Sequence, residues 1–224
     1  MIGDKTIMNV LFIGNSYTFC NDMPTIFEQL AISNGKNITV HSVTKGGRRL
    51  NDYADDKDPV TVTLDTLLSE QKFDICFIQE QSILPAADFD GFIGGLDCVV
   101  KKLKDRAEHL ILYATWGRKC DNPELIQHNW TTESMTNLLI QAYQKAAGLY
   151  DADVSPVGNS FLYITQNYPE INLYDEDGSH PSYQGSCLIA LTHYYTAFGN
   201  FPDQTDTLSL NDAELSAFRM AVSV

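Results

Sequence analysis

The sequence is short of basic residues. Of its 224 residues only 15 are Lys or Arg, against 29 Asp or Glu, which gives a formal net charge of −14. Such a charge repels the phosphates of nucleic acids and the headgroups of anionic lipids. We therefore expect neither nucleic acid nor a membrane surface as a partner.

The sequence also has no C-x-x-C pair of cysteines and no phosphate-binding loop. The chain has five cysteines, and no two of them form a C-x-x-C motif. The odd number leaves at least one thiol unpaired, which favours a reducing compartment and gives no support to a zinc site built on thiolates. No loop rich in Gly and Ser or Thr follows the first predicted strand, which argues against flavodoxin chemistry. We predict no metal and no cofactor.

Long apolar runs are absent as well. Nowhere do about 18 apolar residues follow one another, so we expect no membrane span. The N-terminal segment MIGDKTIMNVLFIG has neither a basic start nor a long apolar stretch, and it predicts a first strand and not a signal peptide. The expected location is the cytoplasm, although the sequence leaves open a signal sequence removed from a longer precursor.

Short apolar runs alternate with helical patterns along the whole chain, which is typical of βαβ units around a parallel sheet. The predicted strands are residues 8–13, 38–43, 73–78, 110–114 and 152–157. The predicted helices are one that opens at Pro24, one within residues 88–107, and residues 60–71, 131–150, 182–198 and 211–222. With no repeat and no linker, residues 1–224 are predicted to form one α/β domain, a three-layer α/β/α sandwich.

The first candidate site is the segment GNSYT, residues 14–18, between the first strand and a helix. Ligands of parallel sheets bind at the edge where the strands end. Ser16 is placed there, with its hydroxyl near the positive end of the following helix. The same residues are common in turns, so a plain turn without chemistry is the alternative.

The second candidate site is the segment DGSHP, residues 177–181, which precedes a late helix. A serine hydroxyl needs a base to take its proton, and an imidazole suits that task. Such a base needs an acid to hold its tautomer. Asp177 stands three residues before His180 and can reach its ring on a turn. A turn histidine with no chemical role is the alternative.

The two segments in this order resemble those of the SGNH (GDSL-like) hydrolases, which combine an early serine block with a late D-x-x-H block. Here GNSYT stands in place of the commoner GDSL, whereas DGSHPS matches D-x-x-H-P-S. The resemblance runs from residue 10 to about residue 200. It implies a flavodoxin-like SGNH hydrolase fold with a mainly parallel five-stranded sheet, and a catalytic triad of Ser16, Asp177 and His180.

The resemblance also implies an oxyanion hole. In the family a glycine after the second strand and an asparagine after the third join the serine amide. Gly47 matches the glycine. Where the family has G-x-N-D, this chain has QEQS, residues 79–82, which marks it as a divergent branch. Gln81 is in register with the asparagine, and Gln79 is the competing choice.

Four further residues are predicted to line a substrate pocket. Asn15 and Tyr17 flank the serine, Arg48 follows the glycine, and Trp116 follows the fourth strand. The Trp116 ring either stacks on a sugar or packs inside its loop. Arg48 either attracts an anionic substrate or stays solvated.

The predicted function is that of a serine esterase. It would act through an acyl-enzyme on a small-molecule or carbohydrate ester, with acetyl groups on carbohydrate as one candidate. The alternatives are a lipase, lysophospholipase or thioesterase on the same scaffold, or a non-catalytic ligand-binding module. The sequence leaves the oligomeric state open.

Overall fold

A parallel five-stranded sheet forms the centre of the computed structural model, which describes residues 7–224. The strands are β1 Met8–Gly14, β2 Ile38–Thr44, β3 Phe73–Ile78, β4 Ala107–Tyr113 and β5 Asp153–Ser155. They lie in the order β2-β1-β3-β4-β5, and every neighbouring pair is parallel. The predicted sheet is confirmed, with strand ends that differ from the predicted ones by a few residues.

Helices connect the strands and cover both faces of the sheet. In chain order they are α1 Ser16–Phe19, α2 Met23–Ser33, α3 Pro59–Glu70, α4 Leu84–Ala87, α5 Phe89–Leu103, α6 Pro123–His128, α7 Thr132–Tyr150, α8 Val157–Asn167, α9 Tyr183–Phe198 and α10 Asp212–Ala221. Short 3-10 helices lie at Cys20–Asp22 and Leu50–Ala54. Within residues 7–224, no helix has both the length and the apolarity needed to cross a bilayer.

Two hydrophobic cores separate the sheet from its helices, because successive side chains of a strand point to opposite faces. Val10 and Phe12 of β1 belong to the core under α2, α8, α9 and α10. Leu11 and Ile13 belong to the core under α3, α5 and α7. All four side chains are fully buried, and burial of each contributes roughly 1.5–3 kcal/mol. This arrangement confirms the predicted three-layer α/β/α fold.

Helix α8 is the longest element that the sequence prediction missed. Its first residue, Val157, was assigned to the fifth strand, but that edge strand ends at Ser155 and Pro156 caps the helix. Val157, Phe161 and Ile164 are buried at helical spacing. The same spacing is visible in the sequence and would have predicted the helix.

The order of the strands determines where the functional loops meet. The chain passes from β1 to β2 on one side and later returns to place β3 on the other side of β1. Parallel sheets have their ligand crevice at such a reversal, beyond the carboxyl ends of the strands. The loops after β1, β2, β3 and β4 therefore lie along one edge.

Candidate active site

Ser16 stands on a tight turn between β1 and α1. Asn15 caps α1, its Oδ1 accepting from the Tyr17 amide at 3.1 Å. The turn needs glycine at position 14, since a Cβ there would lie 2.4 Å from Thr18 Oγ1 and 2.6 Å from Gln79 Oε1. Ser16 opens into a cavity of about 430 Å³ at the carboxyl edge of the sheet.

Ser16, His180 and Asp177 form a continuous hydrogen-bonded chain. Ser16 Oγ lies 2.8 Å from His180 Nε2, and His180 Nδ1 lies 2.5 Å from Asp177 Oδ2. All three side chains line the same cavity. The fold thus brings together residues 164 positions apart, and the sequence-predicted trio meets in the order that proton transfer from the serine requires.

Asp177 is held in its ionised form. Partial burial by itself would raise the pKa of this carboxyl, but hydrogen bonds from the His180 side chain and from the amides of His180 and Ser179 lower it below its ordinary value. The two amides reach Asp177 Oδ1 at 2.9 and 2.8 Å, which leaves Oδ2 for the imidazole. A charged carboxylate on Nδ1 fixes the tautomer that leaves Nε2 free to accept a proton.

Three hydrogen-bond donors at the mouth of the cavity have no partner among residues 7–224. They are the amides of Ser16 and Gly47 and Nε2 of Gln81, all on residues that line the cavity. Gly47 has φ +68°, a left-handed conformation that favours glycine. The Gln81 carboxamide is oriented by its Oε1, which accepts from the amides of Ile83 and Leu84 at 3.0 and 3.2 Å.

Gln79 lies in a different setting. Its side chain is buried and does not line the cavity. Oε1 accepts from the Asn15 amide and from Thr18 Oγ1, both at 2.9 Å, while Nε2 donates to the carbonyl of Glu80. Gln79 therefore braces the Ser16 turn from beneath, and these contacts hold its carboxamide away from the cavity.

Glu80, between the two glutamines, is a fully buried acid that sequence reasoning did not single out. Its carboxylate accepts from the amides of Leu50 at 3.1 Å and Gln81 at 2.5 Å, and so joins the loops after β2 and β3. Burial raises its pKa to about 7, although those hydrogen bonds and the Arg49 charge oppose the rise.

This acid makes stability depend on pH. Between its ordinary value of 4.5 and about 7, the unfolded chain releases the Glu80 proton while the folded protein keeps it, so the free energy of unfolding falls as pH rises. The fall amounts to about 3 kcal/mol and levels off above pH 7. We expect Glu80→Gln to remove this pH dependence. In urea unfolding, the free energy of unfolding of the variant relative to the wild type should therefore rise by about 3 kcal/mol between pH 5 and pH 8. A difference that does not change with pH would contradict this assignment.

Two predicted pocket residues lie elsewhere. The Arg48 guanidinium points away from Ser16, ion-paired with Asp58 at 2.8 Å and bonded to Thr61 Oγ1 at 2.8 Å. Trp116 is fully buried, stacked on Tyr17 at 4.6 Å. The pocket roles predicted for Arg48 and Trp116 are therefore wrong, because the partly exposed Asp58 carboxylate holds the Arg48 guanidinium, and Trp116 packs among aromatic rings, which was its alternative. Asn15 and Tyr17 do line the cavity, as predicted.

Other residues complete the cavity wall. They are Ser82, Arg118, Asn122, Pro123, Glu124 and Ser179. Ser82 and Ser179 adjoin Gln81 and His180 in the sequence, so adjacency was a signal for both. The α6 residues had none, because α6 itself was not predicted. Within residues 7–224, no group of three or more His, Cys, Asp or Glu side chains is arranged to hold a metal ion.

The fold and this geometry define a class: α/β/α proteins with a serine, a histidine and an aspartate joined in series at the carboxyl edge of the sheet. No protein-family profile matches the sequence, and a search of curated proteins finds no significant match. Solved structures do resemble it.

One similar structure is a protein from Slackia heliotrinireducens whose assignment as an SGNH hydrolase is itself inferred. It is 25% identical, with a TM-score of 0.75 over 86% of this chain and 100% of that one. Another is a DUF4886 family protein from Bacteroides uniformis, 17% identical, with a TM-score of 0.82 over 97% and 93%. A third is an acetylxylan esterase from Geobacillus stearothermophilus, 15% identical, with a TM-score of 0.64 over 85% and 94%. The chain thus has the SGNH hydrolase fold, while its place in a divergent branch stays a prediction.

Proposed function

We propose that this protein is a serine esterase that hydrolyses short-chain carboxylic esters through an acyl-enzyme. The observation that carries the proposal is the series of hydrogen bonds from Ser16 Oγ through the His180 ring to Asp177, with distances of 2.8 and 2.5 Å. Free hydrogen-bond donors beside the serine support it, as does the SGNH hydrolase fold.

In the first half-reaction, Ser16 Oγ attacks the ester carbonyl carbon while His180 Nε2 takes the hydroxyl proton. The carbonyl oxygen becomes an oxyanion. His180 then gives the proton to the leaving alcohol, the ester C–O bond breaks, and the acyl group stays on Ser16. Asp177 stabilises the imidazolium in between and holds the ring in place.

In the second half-reaction, water takes the place of the alcohol. His180 accepts a proton from the water as its oxygen attacks the acyl carbon. The bond between Ser16 Oγ and the acyl carbon then breaks, and the proton returns to Ser16. The products are the carboxylic acid and the free enzyme.

The oxyanion of both half-reactions is bound, in this proposal, by the amides of Ser16 and Gly47 and by the Gln81 side chain. These three donors belong to cavity residues and have no partner among residues 7–224. Gln81 is preferred to Gln79 because Gln81 lines the cavity, whereas the Gln79 carboxamide is bonded beneath the Ser16 turn. A preorganised donor of this kind is worth about 3 kcal/mol of the barrier.

The lining of the cavity supports a small, polar substrate. Beyond Ser16 and His180 the wall carries Arg118, Asn122 and Glu124, and no Val, Leu, Ile, Met or Phe side chain of residues 7–224 lines it. We therefore propose acetyl esters of polyhydroxylated alcohols, such as sugars, as the substrate class. The similar fold of an acetylxylan esterase is in keeping with this choice.

A preference for short acyl groups is one testable consequence. Along a series from 4-nitrophenyl acetate to the decanoate, we expect kcat/KM to be highest for acetate or butyrate and about 10-fold lower for the decanoate, since a longer chain must displace water from polar side chains without an apolar partner. Steady-state rates corrected with the Ser16→Ala variant would measure this. A kcat/KM that rises with chain length would favour a lipase or thioesterase.

The proposed function itself is tested by combining hydrolysis with covalent labelling. We expect the wild type to hydrolyse 4-nitrophenyl acetate and to release acetate from peracetylated sugars. A fluorophosphonate should label it on the peptide that contains Ser16, where Ser16 Oγ bonds to phosphorus, fluoride leaves and His180 takes the proton. If the protein showed neither hydrolysis nor labelling, the proposal would be overturned in favour of a non-catalytic binding module.

A further inference from the structure

Arg118, on the loop after β4, lies where three of the active-site loops meet. Its NH1 donates to the Tyr17 hydroxyl at 3.4 Å and, at a short distance, to Ser179 Oγ. Its NH2 donates to Ser82 Oγ at 3.2 Å. The Tyr17 and Ser179 hydroxyls also contact each other at 2.6 Å. One guanidinium thus gathers three hydroxyls from three separate loops.

Each of these hydroxyls belongs to the immediate neighbour of a proposed catalytic group. Tyr17 directly follows Ser16, Ser82 directly follows Gln81, and Ser179 directly precedes His180. The three loops stand far apart in the sequence. Besides the sheet, other hydrogen bonds also join these segments, among them those from the Asn15 amide to Gln79 Oε1 and from Trp116 Nε1 to the Ser179 carbonyl.

The backbone that carries Arg118 is well anchored. Its carbonyl accepts from Thr132 Oγ1 at 2.7 Å, and the amide of Gly117 donates to Thr136 Oγ1 at 2.9 Å, so both residues are fixed to the start of α7. On the other side, the Lys119 amide donates to the Gly178 carbonyl at 2.8 Å, inside the loop that carries Asp177 and His180. The guanidinium therefore extends from a rigid base.

An ion pair does not explain this placement. Among residues 7–224, no carboxylate lies within 4.0 Å of the Arg118 guanidinium, and its buried Nε makes no hydrogen bond. A partly buried cation with only hydroxyl partners is a poor choice for stability. A planar guanidinium does, however, offer several donors in fixed, diverging directions, which the single ammonium of lysine does not.

We propose that Arg118 is a positioning residue that keeps Ser16, Gln81 and His180 in mutual register through their neighbours Tyr17, Ser82 and Ser179. The inference rests on the proposed esterase function, because it assigns Arg118 a part in that reaction. Arg118 acts on the chemical step through these neighbours and not through contact with the reacting atoms.

The first test compares Arg118→Met, which keeps an unbranched side chain but no donors, with Arg118→Lys. For 4-nitrophenyl acetate we expect Arg118→Met to lower kcat about 30-fold with KM nearly unchanged, since misplaced catalytic groups slow chemistry more than binding. Arg118→Lys should recover only a small part of this loss. Arg219→Met is the matched control, because Arg219 of α10 stacks on Phe201 and does not line the cavity, so its loss should leave kcat unchanged.

Chemical rescue separates positioning from a merely structural role. Millimolar guanidinium ion should raise the kcat of Arg118→Met at least about 3-fold and leave the wild type and Arg219→Met unaffected, because the ion can occupy the vacated place. An unchanged kcat in Arg118→Met, or a loss that guanidinium does not repair, would overturn the proposal. If Arg118→Met does not fold, the variants Tyr17→Phe and Ser82→Ala test the positioning role instead. An unaltered kcat in both of them would overturn the proposal.

Labelling by the fluorophosphonate distinguishes failure of this inference from failure of the esterase assignment. If the wild type labels at Ser16 but hydrolyses no ester, the substrate class is wrong, and the labelling rate of Arg118→Met, expected to fall about 30-fold, still tests the positioning role. If the wild type neither labels at Ser16 nor hydrolyses an ester, the esterase assignment and the positioning role both fall.

Discussion

Replacing Ser16 by alanine is expected to lower kcat for 4-nitrophenyl acetate by about 10⁴-fold or more. The loss is this large because the hydroxyl forms the covalent intermediate, and no other serine lies within hydrogen-bond reach of His180 Nε2 in the described chain. The residual rate reflects binding and the oxyanion donors alone. Initial rates at saturating substrate, measured on protein purified apart from the wild type, would show it.

The same variant should fold normally, which keeps the result interpretable. Within residues 7–224, the only side-chain hydrogen bond of Ser16 goes to His180, whereas the turn itself is held by Asn15 and Gln79. Ser33→Ala is a suitable control, because it removes an exposed hydroxyl that, among residues 7–224, bonds only to the Leu30 carbonyl and the neighbouring Asn34 side chain and does not line the cavity. We expect it to keep full activity. A Ser16→Ala variant that retains more than about a tenth of the wild-type rate would identify a different nucleophile.

The fold was predictable to the extent that its elements show in local patterns. Strongly apolar strands such as Phe73–Ile78 were located to the residue, because nearly the whole strand is buried. Short helices such as Leu84–Ala87 and Pro123–His128 escaped, since each has little apolar periodicity of its own. They are held by their surroundings, which a sequence read locally does not contain.

The candidate site was predictable wherever chemistry restricts the residue type. Ser16, Asp177 and His180 can be read from two motifs, and the fold brings them into contact. The errors concern side-chain direction. Arg48 follows Gly47, which has a left-handed conformation. Nothing in the sequence indicates that the Arg48 guanidinium points towards Asp58. The partners of a side chain come from distant segments.

The two glutamines show the same limit in a sharper form. Both follow β3, and both carry the carboxamide that the oxyanion hole would need. What separates them is that Gln79 meets Thr18 and Asn15 of the preceding strand-to-helix turn, whereas Gln81 faces the cavity. Glu80 between them accepts from the amides of Leu50 and Gln81, so the whole segment links the loops of the site.

This difference predicts opposite effects of one substitution at the two positions. In Gln81→Glu the carboxylate can still accept from the amides of Ile83 and Leu84, so the loop should keep its shape. The variant lacks the donor and sets a negative charge beside the oxyanion. We expect kcat for 4-nitrophenyl acetate to fall about 10²- to 10³-fold, with the unfolding midpoint close to that of the wild type.

Gln79→Glu should instead act on stability. It places a carboxylate in a fully enclosed site where the lost Nε2 donor had satisfied the Glu80 carbonyl, and where two acceptors now face each other. Such a change costs several kcal/mol of unfolding free energy or forces the new acid to stay protonated. Thermal unfolding and kcat measured on both variants would distinguish the assignments. If Gln79→Glu lost kcat at unchanged stability while Gln81→Glu stayed active, Gln79 would be the oxyanion donor, and the cavity would have to rearrange to expose it.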